Sequence, residues 1–341
     1  MSEQEQLKIK NMASFRPLTE SIYKEREMRI PEDKLSFGIK FFDEVLGGIY
    51  SNDLIIVGAK TGIGKTQLAT IAAMTNARKK RVHYFALEAE ENEIERRIKY
   101  QTTAKLFYGG PIKLQHPNLN LNYMDWRYGK FNQEFDPYEN EINEMIADSY
   151  PGLNCFYRVD GSKFTAETLK KSVLSIQDQT DLIIIDHLHF FDIEDENENR
   201  GMKDLMMTVR DLALLVNKPF IVVAHMRKTD KRSMDLMPDI EDFHGSSDIS
   251  KICTKAITIA PANIENVKNN WWTYLRAAKC RPDNSRTRWI GLSSFNSTTD
   301  KYDNRYFVSK FHPSKFSGIE KFNEMPYWAK GADIWTETGD T

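Results

Sequence analysis

Cysteine is scarce in this chain: Cys155, Cys253 and Cys280 are its three thiols, far apart in 341 residues. Three scattered thiols build neither a disulfide framework nor a zinc site, and no His and Cys cluster with metal-ligand spacing accompanies them. Net charge is nearly absent too. With 47 basic against 49 acidic residues the balance is −2, so any basic surface has to be local. No apolar run approaches the roughly 20 residues that cross a bilayer. The start, Met-Ser-Glu-Gln-Glu-Gln, is polar where a secretory leader is apolar. The expectation from these absences is a soluble, cytoplasmic protein with no membrane partner. The length allows one large α/β domain with appendages, or two modest domains.

What is present centres on residues 53–66, an apolar run that ends in a glycine-rich turn and opens a helix: Asp53-Leu-Ile-Ile-Val-Gly58-Ala59-Lys60-Thr61-Gly62-Ile63-Gly64-Lys65-Thr66. The β-branched run from Leu54 to Val57 predicts a buried parallel strand, and the Ala/Leu/Ile spacing from Gln67 on predicts a helix over 67–80. A turn between them lies at a helix N-terminus, where unsatisfied N–H groups and the positive dipole end face an entering anion. Gly62 and Gly64 let the backbone wrap a phosphate, Lys65 reaches the β/γ oxygens, and the Thr66 hydroxyl suits Mg²⁺. The usual first glycine of such a loop is Ala59 here, with Gly58 one residue early. Residues 58–67, Gln67 included, are the nucleotide-binding candidates, and ATP with Mg²⁺ the ligands.

Two further strands end in carboxylates. Residues 82–87 form a strand closed by Glu88, and 181–186 a strand closed by Asp186. A carboxylate just past a parallel strand's C-terminal edge shares the phosphate loop's crevice. Glu88 is thereby the candidate that activates water, ahead of Glu90, Glu91 and Glu93, which suit the first turn of a helix over 90–105. Asp186 completes the Mg²⁺ site with Thr66. A strand over 219–225 ends in His225, a candidate γ-phosphate sensor rather than a core histidine. The loop after it, with Arg227, Lys228, Lys231 and Arg232, is either solvated or a contact for a phosphate backbone. The basic run 78–81 fits a helix C-terminus better than a DNA contact.

Elsewhere the pattern is looser. Residues 106–160 are aromatic and Asn-rich, carry four prolines and show no clear period beyond a helix over 138–149. Helices are expected over 165–177 and 202–216. After another strand near 260, residues 271–279, 287–295 and 305–311 alternate as C-terminal β-hairpins. Lys279 and Arg281 sit where the first hairpin turns, which suits either insertion into another subunit's nucleotide site or surface salt bridges. Residues 1–34 read as an arm or linker and 313–341 as a tail.

Together these pieces resemble the RecA-like ATPase domain of ring-shaped replicative DNA helicases, the DnaB-like group and the helicase half of phage helicase-primases, over about residues 35–312. In that family the phosphate loop begins with Ala preceded by Gly, as Gly58-Ala59 does. Ala86-Leu87-Glu88 looks like its strand with the catalytic glutamate, Ile185-Asp186-His187 like its Mg²⁺-site strand, and His225 like its polar sensor. Gly245-Ser246-Ser247 is similar to the segment after its DNA-contacting loop, and Lys279-Cys280-Arg281 to its Lys-x-Arg, whose arginine acts in trans. The resemblance implies a RecA-like P-loop NTPase fold and ATP hydrolysis at the interfaces of a homo-oligomeric, hexameric ring. It further implies 5′→3′ movement on single-stranded DNA, with a primase, polymerase or loader as further partners. Two features depart from the family. No primase or primase-binding domain is expected ahead of the ATPase, and Asp192, Glu194, Asp195 and Glu196 make the loop after Asp186 acidic. A recombinase filament and an ATP-gated scaffold or loader are the alternatives.

Overall fold

A computed structural model describes residues 34–109, 111–159, 162–193, 197–226, 240–243, 251–261 and 272–282. It also describes Leu18, Ile22, Pro238 and Ile249 and the strand fragments 290–292, 295–296, 301–302 and 308–309. The chain divides into two compact units, residues 1–34 and 35–341, and all that follows concerns the second.

Its frame is a mainly parallel sheet. Strands β1 (Leu54–Ala59), β2 (Val82–Ala86), β3 (Leu153–Tyr157), β4 (Leu182–Asp186), β5 (Phe220–His225) and β6 (Lys255–Pro261) run parallel in the order β6-β1-β5-β4-β2-β3. Beyond β6 the antiparallel strands β7 (Trp272–Cys280), β8 (Ile290–Leu292) and β11 (Val308–Ser309) extend it, and β9 (Phe295–Asn296) pairs separately with β10 (Lys301–Tyr302). A doubly covered parallel strand reads as a continuous apolar run. All six residues of β1 and all five of β4 are buried for that reason.

Alternation decides which layer each residue serves. Ile55, Val57 and Ala59 join the core beneath α1 (Lys40–Val45) and the loop helix α2 (Lys65–Ala77). Leu54 and Ile56 join the opposite core with Leu169 and Val173 of α8 (Ala166–Ile176) and Leu205, Met206 and Val209 of α9 (Glu198–Val216). The stretch that showed no period holds α3 (Glu93–Gly109), α4 (Pro111–Gln115), α5 (Tyr123–Arg127), α6 (Asn132–Phe135) and α7 (Glu139–Ser149). Tyr100, Phe107, Leu121, Phe131 and Phe135 form a small core of their own within it.

Several expected boundaries move. Helix α9 starts at Glu198, ahead of the expected 202, because the Asn197 side chain caps it by accepting the Arg200 N–H. Helix α3 starts at Glu93, so Glu90 lies ahead of its first turn, paired with Arg96 and Arg127. Helix α2 begins at Lys65 and ends at Ala77, which puts Arg81 beyond it against Asp181. Strand β3 escaped the sequence reading altogether. It is an edge strand, half-buried and exposed by turns, so it carries no apolar run. Among the described residues no helix is long and apolar enough to cross a membrane.

Candidate functional site

The loop between β1 and α2 is shaped by two glycines that adopt conformations closed to other residues, Gly62 at φ +79° and Gly64 at φ +108°. Gly64 ends the loop and Lys65 opens the helix. Lys65 is almost fully buried and donates to the carbonyls of Ala59 (3.1 Å) and Lys60 (3.2 Å), so its ammonium lies inside the loop it serves. Burial pulls its pKa below that of a free lysine, against the opposing charges of Asp186 and Glu88. Gly58, grouped with the loop by sequence, has another task. It is a strand residue level with Ala224 and Thr258, and a Cβ there would stand 2.3 Å from the Phe243 ring. Its missing side chain makes room for that ring.

Both carboxylates stand beside this loop. Asp186 closes β4, is buried, and accepts the Tyr84 hydroxyl on Oδ2 at 2.7 Å. Its Oδ1 is buried without a hydrogen-bond partner. Burial raises its pKa, opposed by the Tyr84 bond, the Thr66 hydroxyl and the Lys65 charge. An orphaned carboxylate oxygen near a Thr hydroxyl is a hard-oxygen donor set that fits Mg²⁺. Glu88 follows β2, with a side chain 49% exposed, and its pKa is raised by burial first and by Asp186 second. That shift sustains a carboxylate as a proton acceptor closer to neutral pH.

Histidines pack behind the carboxylates. His225 ends β5 level with Ala59, the residue that leads into the phosphate loop. Its ring centre lies 4.2 Å from that of His187 and 5.3 Å from that of His189. His187 is buried, and its Nδ1 accepts the His189 N–H at 3.2 Å. That bond leaves the neutral ring's proton on Nε2, which lies 2.9 Å from Glu88 Oε2 though not in line for a hydrogen bond. Burial and the neighbouring histidines push the His187 pKa down to about 3. Glu88, His187 and His225 offer three ligand atoms within 4.8 Å of one another. A transition metal there would need the Nε2 lone pair that the bond to Nδ1 keeps protonated.

The two cations expected to act in trans lie at the opposite sheet edge. Strand β7 runs antiparallel to β6, and Cys280 pairs with Lys255 where Lys255 is level with Ile55. Four residues of strand, about 13 Å, separate that level from Ala59. Lys279 donates to the Cys253 carbonyl and the exposed Arg281 to the Lys251 carbonyl, both at 2.8 Å. Neither can serve the phosphate loop of its own chain. The six residues expected to contact DNA, Arg227, Lys228, Lys231, Arg232, Gly245 and Ser246, lie outside the described residues.

Sequence reasoning missed Tyr84 and His187. One signal was available for Tyr84: it shares strand parity with Ala86 and Glu88, on the face that covers the loop helix. His187 was quoted only as the residue after Asp186.

With this geometry in hand, the chain was compared with known proteins. A family model described as the DnaB-like helicase C terminal domain matches residues 35–279. The probable plasmid replicative DNA helicase of Chlamydia trachomatis serovar L2 is 25% identical over 239 residues, 67% of this chain and 48% of that protein. The replicative DNA helicase DnaC of Bacillus subtilis strain 168 is 24% identical over 220 residues, 63% of this chain and 44% of that one. The chain thus spans about half the length of the curated relatives it matches. Among solved structures, an isolated ATPase domain superposes with a TM-score of 0.66 at 13% identity, covering 85% of this chain and 99% of that one. A structure of a DnaB-like replicative helicase and its interactions with primase gives 0.64 at 13% identity, covering 86% and 67%. At that identity the likeness speaks for the fold, a RecA-like ATPase sheet.

Proposed function

The chain belongs to the DnaB-like helicase C-terminal domain family, and from that premise we propose that it is the ATP-driven motor of a replicative DNA helicase. One observation carries the reading. Lys65, Thr66, Glu88, Asp186 and His225 converge at one sheet edge, while Arg281 and Lys279 stand at the other. Such a polarity supports a ring in which each copy holds nucleotide at one face and completes its neighbour's site with the other.

In this mechanism Lys65 lies on the β/γ-phosphate oxygens, and Thr66 with Asp186 holds the Mg²⁺ of the nucleotide. When bound, that ion neutralises charge between the β- and γ-phosphates. Glu88 orients the attacking water and takes its proton. Arg281 and Lys279 of the neighbouring copy meet the charge that develops on the γ-phosphate. His225, level with the start of the phosphate loop, passes loss of the γ-phosphate to residues 227–232, which track single-stranded DNA. Six copies, 5′→3′ movement, a cytoplasmic site of action and a primase, polymerase or loader as partner complete the proposal. The primase is supported by the solved relative that interacts with one.

A strand-displacement assay on forked duplexes tests it, with ATP turnover followed in parallel and electron microscopy of the assembly. Closed rings and unwinding that needs a 5′ tail are expected. Helical filaments on DNA would instead make the chain a recombinase, and turnover indifferent to DNA an ATP-gated scaffold.

A further inference from the structure

Strands β2 and β4 are hydrogen-bonded neighbours, in register from Val82 with Leu182 to Ala86 with Asp186. Each supplies the candidate site with one carboxylate, Glu88 just past β2 and Asp186 as the last residue of β4. Each also carries a polar side chain that reaches across to the other strand's carboxylate. Tyr84 of β2 bonds Asp186, and His187, next to Asp186, faces Glu88. We propose that Tyr84 and His187 are positioning residues, a reciprocal clamp that fixes the Mg²⁺ carboxylate and the water-activating carboxylate relative to each other. The inference rests on the ATPase reading above and deepens it.

Consider the phenol first. Tyr84 is wholly buried in the layer beneath α2, where a phenylalanine ring would pack as well. A hydroxyl there has to be satisfied, and Asp186 Oδ2 at 2.7 Å is what satisfies it. With Oδ2 tied down, the carboxylate cannot swing, and Oδ1 is left to face a metal ion. Mg²⁺ demands near-octahedral geometry, so the orientation of a single oxygen matters to it. Partners of metal ligands are commonly worth 10–100-fold in affinity or activity.

The second arm restrains a looser group. Glu88 is half exposed and free to rotate unless something holds it. The Nδ1 bond to His189 keeps the His187 proton on Nε2, directed at Glu88 Oε2. A modest turn of the exposed carboxylate brings the two into line. Misplacing a reacting group by about 1 Å costs on the order of 100-fold in rate.

The test uses Tyr84→Phe, His187→Phe and His187→Gln in the full chain. Electron paramagnetic resonance of free Mn²⁺ in the presence of ADP reads the metal site without turnover. Tyr84→Phe should weaken Mn²⁺ binding by ~10–100-fold while metal-free ADP binding is unchanged. The His187 variants should bind Mn²⁺ as the wild type does. For them, kcat of DNA-stimulated hydrolysis should fall by ~10–100-fold at constant KM, with Gln, which retains an N–H donor, recovering part of what Phe loses. Wild-type Mn²⁺ affinity in Tyr84→Phe, or wild-type kcat in His187→Phe, overturns the clamp. If the unaltered protein binds Mn²⁺ with ADP yet hydrolyses no ATP, the ATPase reading and the His187 arm fall together, and the Mn²⁺ titration still decides the Tyr84 arm.

Discussion

Arg281 and Lys65 stand at opposite edges of one sheet. The main chain of Arg281 bonds the Thr254 carbonyl at the N-terminal edge of the parallel strands, whereas Lys65 opens the helix after the C-terminal edge of β1. A single copy therefore lacks the arginine that its own phosphate loop calls for. Arg281→Ala and Lys65→Ala should each abolish DNA-stimulated ATP hydrolysis, since a finger arginine is worth ~10³–10⁵ in rate. Mixed one to one, the two inactive proteins should regain about a quarter of wild-type sites, because each neighbouring pair can combine one intact loop with one intact arginine. A steady-state assay of the mixture decides the matter. No recovery in mixed assemblies means that Arg281 does not act across the interface.

The packing at Gly58 yields a prediction about stability. A methyl group placed there would meet Cε1 and Cζ of Phe243 at 2.3 and 2.4 Å. Gly58→Ala should cost ~1–3 kcal/mol in denaturant unfolding, the usual penalty for overpacking. Adding Phe243→Leu should return most of it, as contacting residues couple. An unchanged midpoint in the single variant would show that the ring does not lean on the strand.

Acid should weaken the fold through His187. Its pKa is held near 3 in the folded chain by burial and by His225 and His189, against about 6.5 ordinarily. Between those values the unfolded chain binds a proton that the folded chain refuses. This contribution is complete above about pH 6.5 and is lost on acidification by up to about 1.4 kcal/mol per pH unit. His187→Gln removes the group, so the stability difference between wild type and variant should change across pH 3–6.5 and stay flat above it. Parallel curves for the two proteins through that window would count against a buried neutral imidazole.

A buried ion pair braces the other end of the sheet. Lys255 donates to Asp53 Oδ2 (2.6 Å) and the Gly48 carbonyl (2.7 Å), while Asp53 Oδ1 accepts the Thr254 hydroxyl. Lys255→Met strands the aspartate and should cost ~3–5 kcal/mol, whereas Asp53→Asn combined with Lys255→Met should cost less. Equilibrium urea unfolding of both variants measures the difference, and equal losses would mean that the pair is not coupled.

How much of this was legible from residues alone depended on distance along the chain. The phosphate loop is a local object: strand, turn and helix start lie within about a dozen consecutive residues, and the glycines that bend it are written beside the lysine they position. Strands β4 and β5 announced themselves as doubly buried apolar runs capped by Asp186 and His225, whereas β3, covered on one face at the sheet edge, had no such run to show. Helices α3 to α7 stayed hidden because most are short and bury aromatic residues against one another rather than along a single periodic stripe.

The sequence by itself determined where an anion can sit and which side chains end the strands around it, because backbone conformation near a glycine turn and burial of β-branched runs are local matters. Only the tertiary structure decided that β2 lies beside β4, that Tyr84 therefore meets Asp186 and His187 meets Glu88, that Gly58 makes room for a ring 185 positions later (243 − 58), and that Arg281 faces away from Lys65. Those pairings follow from strand order, which the chain settles by burying both faces of one sheet at once, and no stretch of neighbouring residues encodes it.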